Sequence, residues 1–345
     1  MSGCVAMTAA QTRVEKKVAT RASGYGVTYS LPKTSLIMNV EVTKVTCQAG
    51  PYYKYAEKYL GVKDAVAEDH VYYELGKITL TNKGIPDAEN VYTVEFKAGT
   101  VAPYLYLTED GFPCTVNTDY APPAEPAGKA AEKETSSKPA AAVFTQELLM
   151  AGTVVRQAEV ASKQIFHIRE SRMDILTGDA ENLPPDGESM KLMIQKLEDE
   201  EAALTRLFVG AATTETDWYD ITLVPQEDLE DEVLFRFSGK LGILDADDLG
   251  GVPVYISLKA TERPRELTPK EAEKKEKMAK GLIYNVPGRA QVEIKSAGKT
   301  YCKADMQIVQ FGTTESLAPV LFEDRKNPVK ILFYPETGAI KQIIQ

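Results

Sequence analysis

The chain has 345 residues, enough for two domains of ordinary size or one with inserts, and 43% of them are hydrophobic, ample for a buried core. Its 40 Lys and Arg stand against 50 Asp and Glu, a net charge of −10 that excludes a general nucleic-acid binder and offers nothing to anionic lipid. No apolar run reaches the roughly 18 residues of a membrane-spanning helix, and two histidines, His70 and His167, cannot make a multi-His metal site.

The N-terminus supports two export readings. In one, Ser2-Gly3-Cys4 ends a lipobox and Cys4 carries a lipid anchor. In the other, Thr8-Ala9-Ala10 is a small-residue cleavage site and Gln11 begins the mature chain. The bland reading is a short disordered cytosolic tail. Residues 1–22 are therefore a signal remnant or a disordered tail.

Residues 23–118 are expected to form a β-rich domain with one short helix. Leu36, Met38, Val40 and Val42 alternate with Ile37, Asn39, Glu41 and Thr43, the period of a half-buried strand. Gly50-Pro51 opens the helix, Tyr52, Tyr55, Ala56, Tyr59 and Leu60 share a face, and Gly61 stops it. A tyrosine stripe can bind a sugar or a peptide, but a packed face is its commoner use. Further strands are predicted from Tyr72 to Leu80, Tyr92 to Phe96 and Val101 to Leu107. Asn82-Lys83-Gly84 and Asp110-Gly111 supply the turns.

Residues 119–143 lack apolar side chains larger than Ala over most of their length and read as a disordered linker. A helical hairpin follows over 144–210. One helix is predicted over 144–176, about 50 Å long at ~1.5 Å per residue, and a second over 188–209 across the turn Leu183-Pro184-Pro185-Asp186-Gly187. Ile165, Phe166, Ile194, Leu197 and Leu204 are expected to hold the two together, rather than the charges around the loop.

Residues 211–345 are expected to form a second β-rich domain. Its strands show at Tyr219–Leu223, Val233–Phe237 and Val254–Leu258, and a last hairpin crosses Pro335-Glu336-Thr337-Gly338. Residues 261–280 form a charged loop with some helix. Gly26–Pro32 echoes Gly281–Pro287 in its Gly, Tyr, Pro and apolar positions, and each is followed by an alternating strand, although the alternation slips by one residue after the proline and the match is imperfect. Two related β-domains and coincidence are equally good readings. The fold class is α+β: two antiparallel β-rich regions flanking a long antiparallel helical hairpin.

Three constellations could carry chemistry. Arg169-Glu170-Ser171-Arg172 lies near the end of the first long helix, and Asp179, Glu181, Asp186 and Glu188 surround the hairpin loop. The spacing is not that of a calcium loop, and helix capping accounts for these carboxylates. Asp245-Ala246-Asp247-Asp248 starts like a calcium loop but lacks the later bidentate Glu, so a solvated turn is the stronger reading. Cys47, Cys114 and Cys302 show no zinc or thioredoxin spacing. A Cys47–Cys114 disulfide is one reading, and buried free thiols acting as small hydrophobes the other. No nucleophile elbow, P-loop or dinucleotide fingerprint is present. No catalytic, cofactor-binding or metal-binding residue is assigned.

Several runs resemble a known family. Tyr29–Thr34, Gly50–Gly61, Ile168–Arg172, Gly178–Gly187, Gly281–Gly288, Gln310–Thr313 and Pro335–Gly338 are similar to stretches of domain-of-unknown-function family 4831, over nearly the whole chain after residue 25. The resemblance implies an exported protein of Bacteroidota, periplasmic or associated with the outer membrane, with the cytoplasm as the alternative. It implies no activity. The expected function is a non-catalytic cell-envelope scaffold or interaction protein with a protein partner. The alternative is an exported protein that binds or processes polysaccharide.

Overall fold

The structure, a computed structural model, describes residues 13–16, 26–95, 105–119, 144–179, 187–265, 267–278, 281–318 and 329–344. The hairpin turn at 183–186, most of the expected linker, and Cys4 lie outside the described residues. The fold mixes strands and helices, and among the described residues the strands pair antiparallel in three sheets.

The first sheet has the order β1 (Arg13–Lys16), β3 (His70–Glu95), β2 (Gly26–Gln48), β6 (Ala211–Leu223). The second runs β11 (Lys299–Leu317), β10 (Leu282–Ser296), β9 (Val252–Glu262), β7 (Leu229–Ser238), β8 (Gly242–Leu244). The third runs β13 (Ala339–Ile344), β12 (Lys330–Tyr334), β5 (Pro113–Val116), β4 (Leu105–Leu107).

The first two sheets enclose the main core. Leu36, Met38, Val40 and Val42 of β2 are buried, as their alternation requires, and they belong to one cluster with Val254, Ile256 and Leu258 of β9 and Ala290, Val292 and Ile294 of β10. A second core gathers Tyr29 and Leu31 of β2, Leu282 and Ile283 of β10, Val116 of β5, and Ile331 and Phe333 of β12. β2 and β10 therefore each serve both cores, and each carries a register break at its proline. The β2–β3 pairing jumps between Ser30 and Pro32, and the β10–β11 pairing between Val286 and Gly288. The extra residues lie on the partner strands, β3 and β11. Along β2 the buried positions change parity, from Tyr29 and Leu31 on the second core to Leu36 and Met38 on the first. The echo does not extend to facing, because Tyr29 is buried and its counterpart Tyr284 is half-exposed.

The two strand-rich regions are not separate bodies. β6, from the expected C-terminal domain, pairs with β2 along residues 211–223, and β5, from the expected N-terminal domain, pairs with β12. Alternation shows which face of a strand is buried but not which strand lies beside it, so sequence order was a poor guide to sheet membership. Part of the expected tail is also ordered: Arg13–Lys16 pairs with β3 at Tyr92–Glu95. Asn82-Lys83-Gly84 is not a turn. β3 runs straight through it, opposite Thr34–Leu36, and a Cβ on Gly84 would stand 2.9 Å from the Glu336 carbonyl oxygen. Glycine is needed there for close approach of another backbone.

The charged loop holds a helix, α5 (Pro269–Met278). The main-chain N–H of Thr268 donates to the Glu271 carboxylate (2.9 Å), and that of Glu271 donates back to the Thr268 hydroxyl (3.4 Å), a capping box. Lys275 ties it to β11 through Glu315 (3.0 Å) and Thr313 (2.8 Å).

Candidate functional site

A layer of helices packs at one end of the first sheet. A 3-10 turn, Tyr53–Tyr55, leads into α1 (Ala56–Leu60), and Gly61 closes it in the left-handed conformation (φ 71°). The tyrosine stripe is a packing face: Tyr52 and Ala56 are buried, and Tyr55, Tyr59 and Leu60 lie against the same cluster.

The expected helix over 144–176 is two helices, α2 (Gln146–Met150) and α3 (Val154–Thr177). Thr145 and Thr153 each accept from the amide three residues on, at 3.4 and 3.3 Å. Ala151-Gly152 between them leaves the helix, because a second N-cap requires an extended residue at Thr153. The longer piece has 24 residues, so it is about 36 Å long rather than 50.

α4 (Gly187–Val209) pairs with α3, and its last carbonyls are clamped by the main chain: Tyr52 donates to Leu207 (2.8 Å) and Val66 to Val209 (3.0 Å). A Cβ on Gly50 would stand 2.4 Å from the Leu207 oxygen. Ile165 and Leu204 are buried between the helices, as expected, whereas Ile194 and Leu197 are half-buried or less and Phe166 is exposed. Phe166 instead lies under the Arg169 guanidinium, at 5.5 Å.

The Arg169-Glu170-Ser171-Arg172 run lies in an ion-pair network. Arg169 Nε donates to one oxygen of Glu201 (2.6 Å) and Arg172 pairs with the other (2.9 Å), with Glu198 3.8 Å from Arg172. The Glu201 side chain is 14% exposed. The register, Arg169 to Glu201 and Arg172 to Glu198, runs the two helices in opposite directions. A shallow groove of about 350 Å³ lies over the network, lined by Arg169, Glu198, Glu201, Thr205 and Arg206. Both oxygens of Glu201 already face guanidinium groups, so the network clamps α3 to α4.

Magnitudes rank these contributions. Leu204→Ala removes a fully buried side chain and should cost about 2–5 kcal/mol. Arg172→Ala removes a partly screened ion pair and should cost roughly 1 kcal/mol. Thermal melts of the two variants check the order, and an equal or larger loss for Arg172→Ala would make the network the main support of the helical layer.

The other sequence candidates are dispersed. Asp179 accepts from the Thr177 hydroxyl (2.7 Å) and Glu188 pairs with Lys191 (3.0 Å), while Glu181 and Asp186 lie outside the described residues. Asp248 takes the Gly250 amide (2.8 Å) within its own turn, and Arg236 donates to the Ala246 carbonyl (2.9 Å). Among the described residues no three His, Cys, Asp or Glu gather as metal ligands would. Cys47 and Cys114 are buried in different sheets and form no disulfide with each other. Cys302 is free and half-buried, and burial pushes its thiol above the ordinary value. His70 is exposed and stacks on Tyr72 at 6.0 Å.

One polar assembly has no counterpart among these candidates. The Tyr29 hydroxyl accepts from the Ile283 amide (2.9 Å) and donates to its carbonyl (3.1 Å), standing in for a strand residue. Burial raises the phenol far above its ordinary value of 10. Thr34 N–H donates to Gln310 Oε1 (2.9 Å) and Gln310 Nε2 to the Thr34 carbonyl (2.8 Å). Asn285 Nδ2 donates to the carbonyls of Pro32 and Thr337, both at 2.9 Å. The assembly is the joint at which the β2–β3 and β10–β11 hairpins cross.

The model of the family described as a domain of unknown function, DUF4831, matches residues 25–341. The chain belongs to that family. No curated protein and no solved structure matches it. Four of the runs that resemble DUF4831 meet at the crossing joint: Tyr29–Thr34, Gly281–Gly288, Gln310–Thr313 and Pro335–Gly338. Two others, Gly50–Gly61 and Ile168–Arg172, build the helical layer. The runs that resemble the family therefore lie largely where the hairpins and helices of this chain are joined.

Proposed function

We propose that the protein is a non-catalytic scaffold or interaction protein of the cell envelope, a β body whose antiparallel helical hairpin docks a protein partner or a second copy. One observation supports the docking role. Leu149, Met150, Phe166, Met173, Leu176 and Leu192, all in the helical layer, are 51% to 74% exposed. Single exposed apolar residues need no explanation, but this many large ones on one pair of helices and the short helix before it is the signature of a surface that is covered in use. The envelope setting rests on the resemblance and on the two readings of the N-terminus.

The test uses the full chain in cells, with a photo-crosslinking side chain at position 192 and, as control, at exposed position 240. Position 192 should give one discrete adduct, to a partner protein or to a second copy, and Met173→Lys with Leu176→Lys should abolish it. Equal labelling from both positions would overturn the docking role. Expressed from its native gene, the mature protein should sit in the envelope fraction with Gln11 first or Cys4 acylated. An intact Met1 in the cytosolic fraction would end the envelope reading.

A further inference from the structure

We propose that the outer edge of β6 receives an extended, lysine- or arginine-bearing segment of a partner protein as an added strand. Among the described residues β6 is the last strand of its sheet and pairs with β2 alone, over 13 consecutive residues without a register shift. Half of its main-chain donors and acceptors therefore point away from β2, and no described strand meets them. Exposed edges are ordinarily blunted by shortness, a bulge, a proline or a lysine. β6 is long and unbulged, and its sequence, Ala211 to Leu223, holds neither proline nor lysine.

Charge decides the occupant. Residues 211–235 hold eight Asp and Glu and no Lys or Arg. Some of these are engaged at home: Glu215 pairs with Lys44 (3.5 Å), Asp220 accepts from Asn39, and Asp228 and Asp231 meet Arg263 (2.9 Å) and Lys295 (3.5 Å). Asp217, on the edge strand itself, is exposed and meets no such cation among the described residues. Pairing β6 with a second copy of itself would set carboxylates against carboxylates, which destabilises a strand pair. A basic strand would instead find complementary charge and a fast, steered approach. Trp218 and Tyr219 stand at the middle of the edge, 45% and 44% exposed. Successive strand residues point to opposite faces, so the two rings flank an added strand from both sides. Both are residue types that anchor interfaces.

Trp218 is the chain's sole tryptophan, so its emission reports on the edge directly. The probes are capped peptides of about eight residues, of three kinds. One alternates Lys with Thr, one replaces each Lys by Glu, and one is the lysine peptide with alternate amides N-methylated, made in both registers. The lysine peptide should bind saturably to the full chain and shift Trp218 emission, less so at high salt. The glutamate peptide should not bind. N-methylation in one register should weaken binding about tenfold or more, because it removes the ladder donors. Asp217→Lys should weaken it roughly threefold to tenfold without lowering the melting temperature. Equal binding of all lysine peptides would mean charge alone and overturn the added strand. Three other results would also overturn it: binding without a Trp218 shift, a concentration-dependent dimer that buries Trp218 with no peptide present, and a soluble polysaccharide that shifts the emission where the lysine peptide does not. The helical variants Met173→Lys and Leu176→Lys should leave peptide binding unchanged, so failure of the helical docking surface and failure of the edge are told apart.

Discussion

Gly312→Ala should leave almost no folded protein. A Cβ at that position would lie 2.0 Å from the carbonyl oxygen of Val286, 2.7 Å from the Cα of Pro287 and 2.8 Å from the amide nitrogen of Gly288. All three atoms are main chain, so no flexible side-chain end can swing aside. The tightness follows from the register break. Between Val286 and Gly288 the partner strand skips from Thr313 to Ile308, and the extra length of β11 folds back over β10. Gly288 is constrained from the other side, its Cβ position being 2.5 Å from the Phe311 oxygen. Relief would require moving the stretch that carries Val309 and Gln310, and with it their hydrogen bonds to Thr34. Ordinary overpacking costs about 1–3 kcal/mol. A clash of backbone against backbone at the joint of two cores should exceed that and consume most of a typical stability of about 5–15 kcal/mol. Gly152→Ala is the control. Nothing lies within 4 Å of its Cβ position and its φ is not left-handed, so alanine should be neutral or stabilise by about 0.4–1 kcal/mol. Soluble yield and thermal melts of both variants decide the matter, and a Gly312→Ala protein melting within a few degrees of the parent would show that the bulge can open.

The local half of this fold was legible in the sequence. Leu36 to Val42 alternate because one face of β2 is buried, and the Pro335–Gly338 turn joins β12 to β13 as its residues predict. Gly61 and Gly210 mark the helix ends that their left-handed conformations close. The echo of Gly26–Pro32 in Gly281–Pro287 was also legible, together with its slip in alternation. The register break beside each proline was not, because its extra residues lie on the partner strands β3 and β11. Partners were the illegible half. Nothing in β2 specifies β6, about 170 residues later, and nothing in Arg169 and Arg172 specifies Glu198 and Glu201. Spacing of three on each helix shows that each pair shares a face, while the match between faces is tertiary. The break at Gly152, inside the helix expected over 144–176, was illegible for a related reason. A lone glycine is tolerated in a helix, and the break became certain only with Thr153 seen capping the next one. Exposure is equally non-local: Phe166 and Leu204 are both apolar residues at helical spacing, and only packing separates the solvent-facing one from the buried one.

A chain cut within residues 120–143 should stay together as one particle and come apart only with loss of fold. The cut, at an inserted protease site, divides residues 26–119 with β2 to β5 from residues 144–344 with the helices and β6 to β13. The two pieces share two of the three sheets, through β6 on β2 and β12 on β5. They also share the crossing joint, where Tyr29 meets Ile283 and Thr34 meets Gln310. Most decisive is the main core. Leu36, Met38, Val40, Val42 and Ile78 from the first piece are covered by strands of the second. Exposing five such side chains, at about 1.5–3 kcal/mol each, forfeits roughly 7–15 kcal/mol, the whole stability of an ordinary domain. The cut chain should therefore elute at the parent volume with nearly the parent circular dichroism. Each piece expressed alone should be unfolded or aggregated, and mixing the two from denaturant should restore the sheet signal. Two pieces that each melt cooperatively alone and elute separately after the cut would show that the pairings β2–β6 and β5–β12 are dispensable, and that the chain is two β-domains after all.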